Sequence, residues 1–550
     1  MRLVHGDGTE VGLVKGFSIS TVGGAPEDFE FLSGYTVREV NAPVKPHEDI
    51  PIVTRVVPRK TVPVQRRIGP APAGMALPMA DRRDVETVKH AVENRLFRKH
   101  PKPSKPLLRK LRSFVRLFCK RHFDPIEPTQ LLTFDEWLAS TSYNEARKDE
   151  LRKVKSQHVG EIPCGKDLYV KSHIKDENYE EYKVPRGIYS RTDYFKAYYG
   201  PYMKSIEKIV FEKECFIKKI PVTLRPKYLK DRLGICGPYY VTDYSAYESS
   251  FSPEFMWNVE CQLYKHMLKN FEGVSDSYNA AITGENVIKF RDVATKVRGK
   301  RMSGEITTSL GNSFSNLMIM LFVCSQAGMC EEDVVGVVEG DDGLFWLNGK
   351  VPEMERFSEL GFDLKLEKVD NFCLASFCGI VADEIDLDTV RDPRTKLISL
   401  GWSHSQQISG KKNKLRGLLL AKALSLVAEL PHCPILTHFG LKMIELTKHH
   451  KPIFKQDWWN TQLKELVEKQ IGGELTPSSV CRLSDGKIGL RTRALVDHLY
   501  GISYDMQIKC EDAIAKIKHL DDPLPTILCD LVKMHPNSMV WMEYYNKFRS

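Results

Sequence analysis

Residues 334–347 read VVGVVEGDDGLFWL, and this stretch decides the fold of the centre of the chain. Two apolar runs, rich in β-branched and aromatic residues, flank the short segment EGDDG, a pattern typical of a strand, a tight turn and a second strand. We therefore predict Asp341 and Asp342 at the turn, where Gly340 and Gly343 give the backbone its freedom. Because both strands are apolar, the hairpin is predicted to belong to a buried sheet.

Two adjacent carboxylates on a buried hairpin repel each other unless a cation lies near them. An ordinary exposed Asp-Gly turn is the alternative for this segment taken alone. A further acid comes from residues 239–252, YYVTDYSAYESSFS, where Asp243 ends a predicted strand and Glu248 follows five residues later. Asp243 and Asp341 can bridge two hard cations through their oxygen atoms. Two such ions activate an attacking hydroxyl and stabilise a leaving pyrophosphate.

Between these acids, residues 301–318 read RMSGEITTSLGNSFSNLM. Ser303 and Gly304 predict a flexible loop before a helix. Small polar residues then recur at intervals of three and four along one row of that helix: Thr308, Asn312, Ser315 and Asn316. Helix capping by Ser303 and Glu305 is the alternative, and it explains the start of the helix but not the polar row. The row suits hydrogen bonding to a sugar or a base.

The bulk properties are those of an ordinary globular protein. The chain has 550 residues, of which 42% are hydrophobic and 27% are charged, so it is neither disordered nor membrane-spanning in composition. Its 80 basic and 71 acidic residues leave a net charge of +9, which is too mild an excess to identify a partner. Residues 1–23 lack an apolar core behind a basic start, so we do not expect a signal peptide there, and the most apolar runs, 317–323 and 418–430, are too short to cross a bilayer.

The thirteen cysteines are scattered without a repeated CxxC spacing, which favours a reduced cytosolic protein. Cys373, Cys378 and His404 lack an evident fourth ligand, so we do not predict a zinc site there.

A basic amphipathic helix is predicted around residues 98–121, which contain ten Lys or Arg residues and no Asp or Glu. Three interpretations stay open: the helix packs its apolar side on the core, lines an RNA path, or lies on a membrane surface. Upstream, residues 44–79 are rich in proline and arginine and lack strand or helix periodicity, which predicts an extended, poorly ordered tether.

Taken in order, the segments TDYSAYE, SGEITTSLGN and EGDD resemble motifs A, B and C of viral RNA-dependent RNA polymerases. The pattern Ser303, Gly304, Thr308 and Asn312 is similar to that of positive-strand RNA viruses, and its wording looks most like the tombusvirus-like enzymes. The resemblance covers roughly residues 168–379.

This resemblance implies roles for the central residues. Asp243 and Asp341 would bind Mg²⁺, or Mn²⁺ in its place, with Asp342 assisting. Glu248 and Asn312 would contact the ribose 2′-hydroxyl, which distinguishes RNA precursors from DNA precursors. The family usually has Asp where this chain has Glu248, so the sugar-sensing role is better supported at Asn312. The motif B residues would complete the substrate site, with the first two shaping the loop under the incoming base pair: Ser303, Gly304 and Thr308.

Residues 169–191, YVKSHIKDENYEEYKVPRGIYSR, are similar to motif F, whose basic side chains grip the triphosphate. The resemblance makes five residues candidates: Lys171, Lys175, Lys183, Arg186 and Arg191. Four interleaved acids leave a solvated charged loop as the alternative. Residues 200–210 are also similar to the segment that follows motif F in the tombusvirus-like sequences.

Downstream, GFDLKLEKV resembles motif D, with Lys365 as the general acid for the leaving pyrophosphate and Lys368 as the alternative. Residues 376–380 resemble motif E, which supports the end of the nascent strand.

The implied fold is α/β (α+β): a right hand of fingers, palm and thumb, in which the palm is an antiparallel sheet backed by helices. We place the fingers at 91–240 with a further part at 272–300, the palm at 241–390 and the thumb at 391–550. The N-terminal extension, 1–90, is expected to order in part by bridging fingers and thumb.

The expected reaction is RNA-templated RNA synthesis from NTPs that replicates a positive-strand viral genome. Its partners would be RNA template and product, NTPs and other viral replication proteins. The expected location is the host cytoplasm, at membrane-associated replication complexes to which another viral protein or an upstream extension attaches the chain. A reverse transcriptase and a non-enzymatic RNA-binding scaffold are the rival hypotheses. A DNA-making site would be expected to exclude the 2′-hydroxyl with a bulky residue near motif A, whereas the motif B row and GDD favour RNA synthesis. The scaffold leaves the three acids unexplained at their spacing.

Overall fold

The computed structural model describes residues 30–42, 51–55, 63–158, 160–404, 410–454, 468, 472–484 and 486–549. The first part of the described chain contains three short strands and five helices: β1 (Phe31–Ser33), α1 (Val37–Val40), β2 (Ile52–Thr54), β3 (Pro63–Arg67), α2 (Val85–Leu96), α3 (Lys105–His122), α4 (Phe134–Ala139) and α5 (Glu145–Ser156).

The middle part carries most of the strands. In chain order its elements are β4 (Val170–Ile174), β5 (Gly187–Arg191), α6 (Asp193–Val210), α7 (Arg225–Leu233), β6 (Cys236–Tyr244), α8 (Tyr247–Ser250), α9 (Pro253–Asn258), α10 (Glu260–Met267), α11 (Val274–Thr283), β7 (Glu285–Lys289), β8 (Val293–Arg298), α12 (Thr308–Gln326), β9 (Val334–Glu339), β10 (Asp342–Leu347), α13 (Met354–Glu359) and β11 (Leu364–Asn371).

The last part is almost entirely helical, as predicted after Arg391. It contains α14 (Pro393–Leu400), β12 (Trp402–His404), α15 (Lys412–Glu429), α16 (Leu436–Thr447), α17 (Pro477–Leu483), α18 (Leu490–Tyr500), α19 (Tyr504–Ala515), α20 (Thr526–Lys533) and α21 (Ser538–Phe548).

The central sheet has the strand order β11-β6-β10-β9, and every neighbouring pair is antiparallel. The hairpin predicted over residues 334–347 is confirmed: β9 and β10 pair from Val334 opposite Leu347 to Glu339 opposite Asp342. Gly340 occupies the turn with φ +65°, a left-handed conformation that glycine adopts without steric cost.

Both faces of the central sheet are covered by side chains, as the apolar pattern of its strands requires. Tyr240, Tyr244 and Phe345 face a large core that also contains the apolar side of α12. On the opposite face Tyr239 packs with Phe372 in a second cluster. The predicted fold class, α and β with an antiparallel sheet backed by helices, is confirmed.

A second sheet has the order β2-β8-β7-β4-β5, with β4 and β7 as its one parallel pair. It therefore joins strands from residues 170–191 with strands from 285–298. A third sheet, β1-β3-β12, pairs the N-terminal part of the chain with residues 402–404. The prediction that residues 44–79 lack regular structure is wrong for β2 and β3, because β8 pairs with β2, and β1 and β12 pair with β3, through hydrogen bonds that the local sequence does not indicate. Residues 44–50 and 56–62 of the tether lie outside the described residues.

The loop 175–186 is held from two sides. The Tyr35 hydroxyl donates to the Lys183 carbonyl at 2.6 Å, and Trp541 Nε1 on α21 donates to the Glu180 carbonyl at 2.8 Å. The Tyr544 hydroxyl joins the two supports by donating to the Ser33 carbonyl at 2.9 Å. These are contacts of the kind expected of an extension that bridges fingers and thumb; the domain boundaries themselves stay predictions.

The basic helix predicted at 98–121 is present as α3. Its apolar side chains, Leu108, Leu111, Val115 and Phe118, are buried in the large core. The first interpretation is therefore correct for these four side chains, which the core already covers, whereas Leu117 of the same helix is 56% exposed. No helix among the described residues is both long and apolar enough to cross a membrane.

Candidate active site

The ends of β6 and β10 bring two of the predicted acids side by side. Thr242 lies opposite Gly343, so the next position outward on these strands holds Asp243 and Asp342. Asp341 occupies the turn beside them. All three side chains are accessible at this end of the sheet. Within the described ranges, no three His, Cys, Asp or Glu side chains are already gathered closely enough to hold an ion.

The protein surrounds this accessible cleft closely enough to penalise charge. Burial raises the pKa of Asp342 to about 6, and the neighbouring Asp341 adds to the rise. Burial and the charge of Glu248 also raise the pKa of Asp341, whereas Arg186 and Arg95 act against that rise. Negative charge is thus in excess at the hairpin, which is the condition that a bound cation relieves.

The helix α12 holds the turn that carries both aspartates. Asn316 Nδ2 lies within 3.2, 3.0 and 3.1 Å of the carbonyl oxygens of Gly340, Asp341 and Asp342 respectively. Ser313 Oγ accepts a hydrogen bond from the Gly340 amide at 2.8 Å. Asn316 is itself oriented, because its Oδ1 accepts from the Tyr244 hydroxyl of β6 at 3.2 Å.

Three of the predicted substrate residues meet beside this turn. Asn312 Nδ2 donates to Glu248 Oε1 at 3.4 Å, and the Ser303 hydroxyl donates to Glu248 Oε2. The Tyr247 hydroxyl fixes this stretch of α12 by donating to the Asn312 carbonyl at 2.9 Å. Asn312 Oδ1 is buried and, within the described residues, has no hydrogen-bond partner.

The motif B loop is closed on itself. Thr308 Oγ1 accepts from the Gly304 amide at 3.1 Å and donates to backbone carbonyls of the loop, so this side chain shapes the loop. Gly304 has φ +130°, and a Cβ there would lie 2.9 Å from the Tyr189 carbonyl oxygen. Gly304 is therefore required by both its conformation and the close approach of β5.

Two buried ion pairs fix the ends of this loop. Arg191 Nε donates to Glu305 at 2.8 Å, with side chains only 1% and 2% exposed. Arg301 pairs with Glu260 at the other end, also fully buried. Arg191 was expected to contact the triphosphate, but its guanidinium is enclosed by Glu305 and by the carbonyls of Leu168 and Ala281. In this arrangement Arg191 joins β5 to the motif B loop and is not presented to a phosphate.

Of the remaining motif F candidates, Arg186 acts on Asp341 through its charge, and both Arg186 and Lys175 pair with Glu177. Glu177 accepts two hydrogen bonds from Arg186 at 2.6 Å. Its Oε2 also lies 2.9 Å from Lys175 Nζ. Although burial opposes ionisation of Glu177, these cations lower its pKa to about 2. Lys171 is exposed on β4, and Lys183 is exposed and lies 5.6 Å from the Tyr179 ring centroid.

The register of β11 separates the two motif D lysines. Lys365 lies directly opposite Asp243, so both side chains project from the same face of the sheet. Lys368 lies opposite Tyr240, whose side chain belongs to the other face. Lys365 is exposed and 3.3 Å from Glu367.

Some residues of the cleft were not predicted as site residues. Arg95 at the end of α2 acts on Asp341, and the Cys378 thiol donates a hydrogen bond to Asp342. Ser313 and Asn316 hold the turn, and only the polar row that contains Asn316 gave a signal for them. Arg95 lies in no pattern that the sequence distinguishes from ordinary surface residues, whereas Cys378 belongs to residues 376–380, which resemble motif E, but was not predicted to contact Asp342. His404, considered with Cys378 for zinc, hydrogen-bonds Asn178 instead.

Residues 254–519 match the model of a family described as viral RNA-dependent RNA polymerase. This part of the chain is similar to viral RNA-dependent RNA polymerases. A curated relative, the RNA-directed RNA polymerase of Striped jack nervous necrosis virus, is 31% identical over 137 residues, which cover 23% of this chain and 13% of the relative. The expected resemblance is confirmed at this level, whereas the tombusvirus-like grouping stays a prediction.

Proposed function

We propose that the chain is an RNA-directed RNA polymerase that joins ribonucleotides on an RNA template. The observation that carries the proposal is the position of Asp243, Asp341 and Asp342 at one end of the central sheet, directly beside the Glu248 and Asn312 pair. Acids suited to phosphoryl transfer and polar groups suited to a ribose thus share one cleft. The similarity of residues 254–519 to viral RNA-dependent RNA polymerases supports the same reaction.

The carboxylate oxygens of Asp243, Asp341 and Asp342 fit Mg²⁺ or Mn²⁺, which prefer hard oxygen ligands. Bound there, divalent ions activate the attacking 3′-hydroxyl and stabilise the charge of the leaving pyrophosphate.

The protein's own groups then position the substrate and move one proton. Asn316 and Ser313 keep the turn in place. Glu248 and Asn312 receive the ribose 2′-hydroxyl, for which the unpartnered Asn312 Oδ1 is an acceptor. Lys365, on the same face as Asp243, donates a proton to the pyrophosphate.

In the same proposal the incoming triphosphate competes with Glu177 for its two cations. Arg186 and Lys175 neutralise Glu177 in the described arrangement. A triphosphate carries more negative charge than one carboxylate and attracts both side chains more strongly. Lys171 and Lys183 add positive charge along its approach.

The test is RNA-templated incorporation of labelled NTPs by the purified chain with Mg²⁺ or Mn²⁺. Asp341→Asn should lower kcat on the order of 10³-fold or more, because a ligand for the reacting charge is lost. Asp231→Asn, an exposed residue of α7, is the matched control and should keep wild-type activity. Equal activity of wild type and Asp341→Asn would contradict the proposal.

Competition between NTPs and dNTPs tests the rival reverse transcriptase. Preference for dNTPs by the wild-type chain would favour that rival. RNA binding without any turnover, unchanged by Asp341→Asn, would favour the scaffold.

We further propose that the enzyme replicates a positive-strand viral genome, in the tombusvirus-like manner that its motif B wording suggests. It would work at membrane-associated complexes in the host cytoplasm, attached through another viral replication protein. Co-flotation with membranes of the chain expressed alone would contradict this indirect attachment.

A further inference from the structure

A groove runs between α3 and α9 outside the acidic cleft. Its volume is about 510 Å³, within the usual size range of pockets that bind small ligands. Four cations and one aromatic ring line it together with a single carboxylate: Lys105, Arg109, Arg112, Arg298, Trp257 and Glu254.

The cations of this groove have no partners of opposite charge. Lys105, Arg109, Arg112 and Arg298 form no ion pair with any residue of the described ranges. In contrast, the motif F cations Lys175 and Arg186 both form an ion pair with Glu177. Four unpaired cations around one cavity repel one another, and a polyanion would relieve that repulsion.

The aromatic ring gives the groove a surface for stacking. Trp257 is 36% exposed although it is a large apolar residue. Lys265 lies 4.8 Å from its ring centroid. Aromatic rings beside unpaired Lys and Arg are the combination by which proteins bind single-stranded nucleic acid, with bases on the ring and phosphates on the cations.

A lipid surface fits these observations less well. The apolar side of α3 is buried in the core, so the helix offers cations but no continuous apolar strip to insert between lipids. A concave groove also suits a strand better than a flat membrane.

The groove adjoins the candidate active site along the chain. Only Phe251 and Ser252 separate α8, which carries Glu248, from α9, which forms one wall of the groove. Arg298, which lines the groove from the end of β8, lies two residues before Lys300. The Lys300 Nζ donates to the Ser249 carbonyl of α8 at 2.6 Å.

We propose that the groove between α3 and α9 binds single-stranded RNA outside the catalytic centre, with phosphates on Arg109 and Arg112 and a base on Trp257. The proposal rests on the proposed function for the identity of its ligand as RNA. It assigns a role to the exposed basic side of α3, which the reaction itself does not use.

The test measures binding of a fluorescent single-stranded RNA by anisotropy over a range of salt concentrations, in the full chain carrying Asp341→Asn. Adding Arg109→Gln and Arg112→Gln should weaken binding on the order of 10-fold and flatten the slope of log Kd against log salt by about 1.4, since each phosphate contact to a single strand contributes about 0.7. Trp257→Leu should weaken binding by at least about 5-fold with an unchanged slope. Circular dichroism melts check that each variant folds.

Lys110→Gln with Lys120→Gln is the matched control, because it removes the same charge from exposed positions of α3 outside the groove. An equal loss of binding in this control would overturn the proposal in favour of diffuse attraction to the helix. Unchanged RNA binding of the groove variants, with lost sedimentation on phosphatidylserine vesicles, would overturn it in favour of a lipid surface.

The two proposals fail separately. The binding assay needs no turnover, so groove-dependent RNA binding, together with a wild-type chain that makes no RNA in the incorporation assay, would refute the polymerase and keep the groove. Normal RNA synthesis and unchanged binding by the Arg109 and Arg112 variant would refute only the groove.

Discussion

Replacing Asn316 by alanine removes the side chain that holds the turn of the two aspartates. The Asn316 amide has two N–H groups, so its three contacts of 3.0 to 3.2 Å amount to at most two full hydrogen bonds. Because the substitution also removes the bond that Asn316 Oδ1 accepts from the Tyr244 hydroxyl, up to three hydrogen bonds are lost, and at about 0.5–1.5 kcal/mol each their loss should lower the free energy of unfolding by about 1.5–4.5 kcal/mol. A turn displaced by about 1 Å should also lower kcat on the order of 100-fold, with a smaller change in the KM for NTPs.

The assay is steady-state NTP incorporation on an RNA template, beside urea unfolding of the same preparations. Asn279→Ala is the matched control, because Asn279 is equally buried and donates one hydrogen bond, to the Cys261 carbonyl at 3.3 Å, far from the turn in the sequence. It should lose stability and keep its kcat. If both variants lose kcat equally, the effect of Asn316 is general stability and the reasoning about the turn is refuted.

Three further predictions concern other parts of the site. In metal-free buffer at pH values above about 6, Asp342→Asn should have a higher Tm than the wild type, because the carboxylate that it replaces is ionised there at a cost in stability. This gain in Tm should vanish as the pH falls towards 3.8, the ordinary pKa of an Asp side chain, and a gain independent of pH would contradict the prediction. Asn312→Ala should reduce discrimination between an NTP and its dNTP about 10- to 100-fold in competition assays, and unchanged discrimination would remove Asn312 from the ribose site. Arg191→Gln should cost about 3–5 kcal/mol in urea unfolding, because Glu305 stays buried without its partner. Arg147→Gln, which breaks the partly exposed pair of Arg147 with Asp193, should lower the free energy of unfolding by about 1 kcal/mol or less. Equal losses in the two variants would contradict the role of burial.

The parts of the site that could be predicted are those with a local signal. The hairpin of residues 334–347 follows from alternating apolar runs around a glycine-containing turn, and α12 follows from its helical period. The resemblance of three ordered segments then placed Asp243 near Asp341, which no single segment could do. The antiparallel register that sets Asp243 beside Asp342 and opposite Lys365 completes that picture.

The other parts depend on partners that are distant in the sequence. Arg191 looks like any exposed arginine of a basic loop until Glu305, 114 residues later, encloses it. Asn316 belongs to a visible polar row, but its partner is decided by how α12 packs against the turn. The strand β3 has no periodicity of its own and exists because β1 and β12 lie on either side of it. Such long-range pairings leave no pattern within either segment.

The contacts that hold the loop 175–186 come from distant parts of the chain, so they affect when this loop can fold during synthesis. Trp541 holds Glu180 across 361 positions of the chain, and Ser33 reaches Phe548 across 515. Contacts this distant form late in folding, because the entropy of closing so long a loop has to be overcome first. During synthesis, residues 169–191 leave the ribosome long before α21 exists to support them. The loop 175–186 therefore reaches its final form only after residue 548 has emerged, so a shorter nascent chain already contains Asp243, Asp341 and Asp342 but lacks the contacts that support this loop.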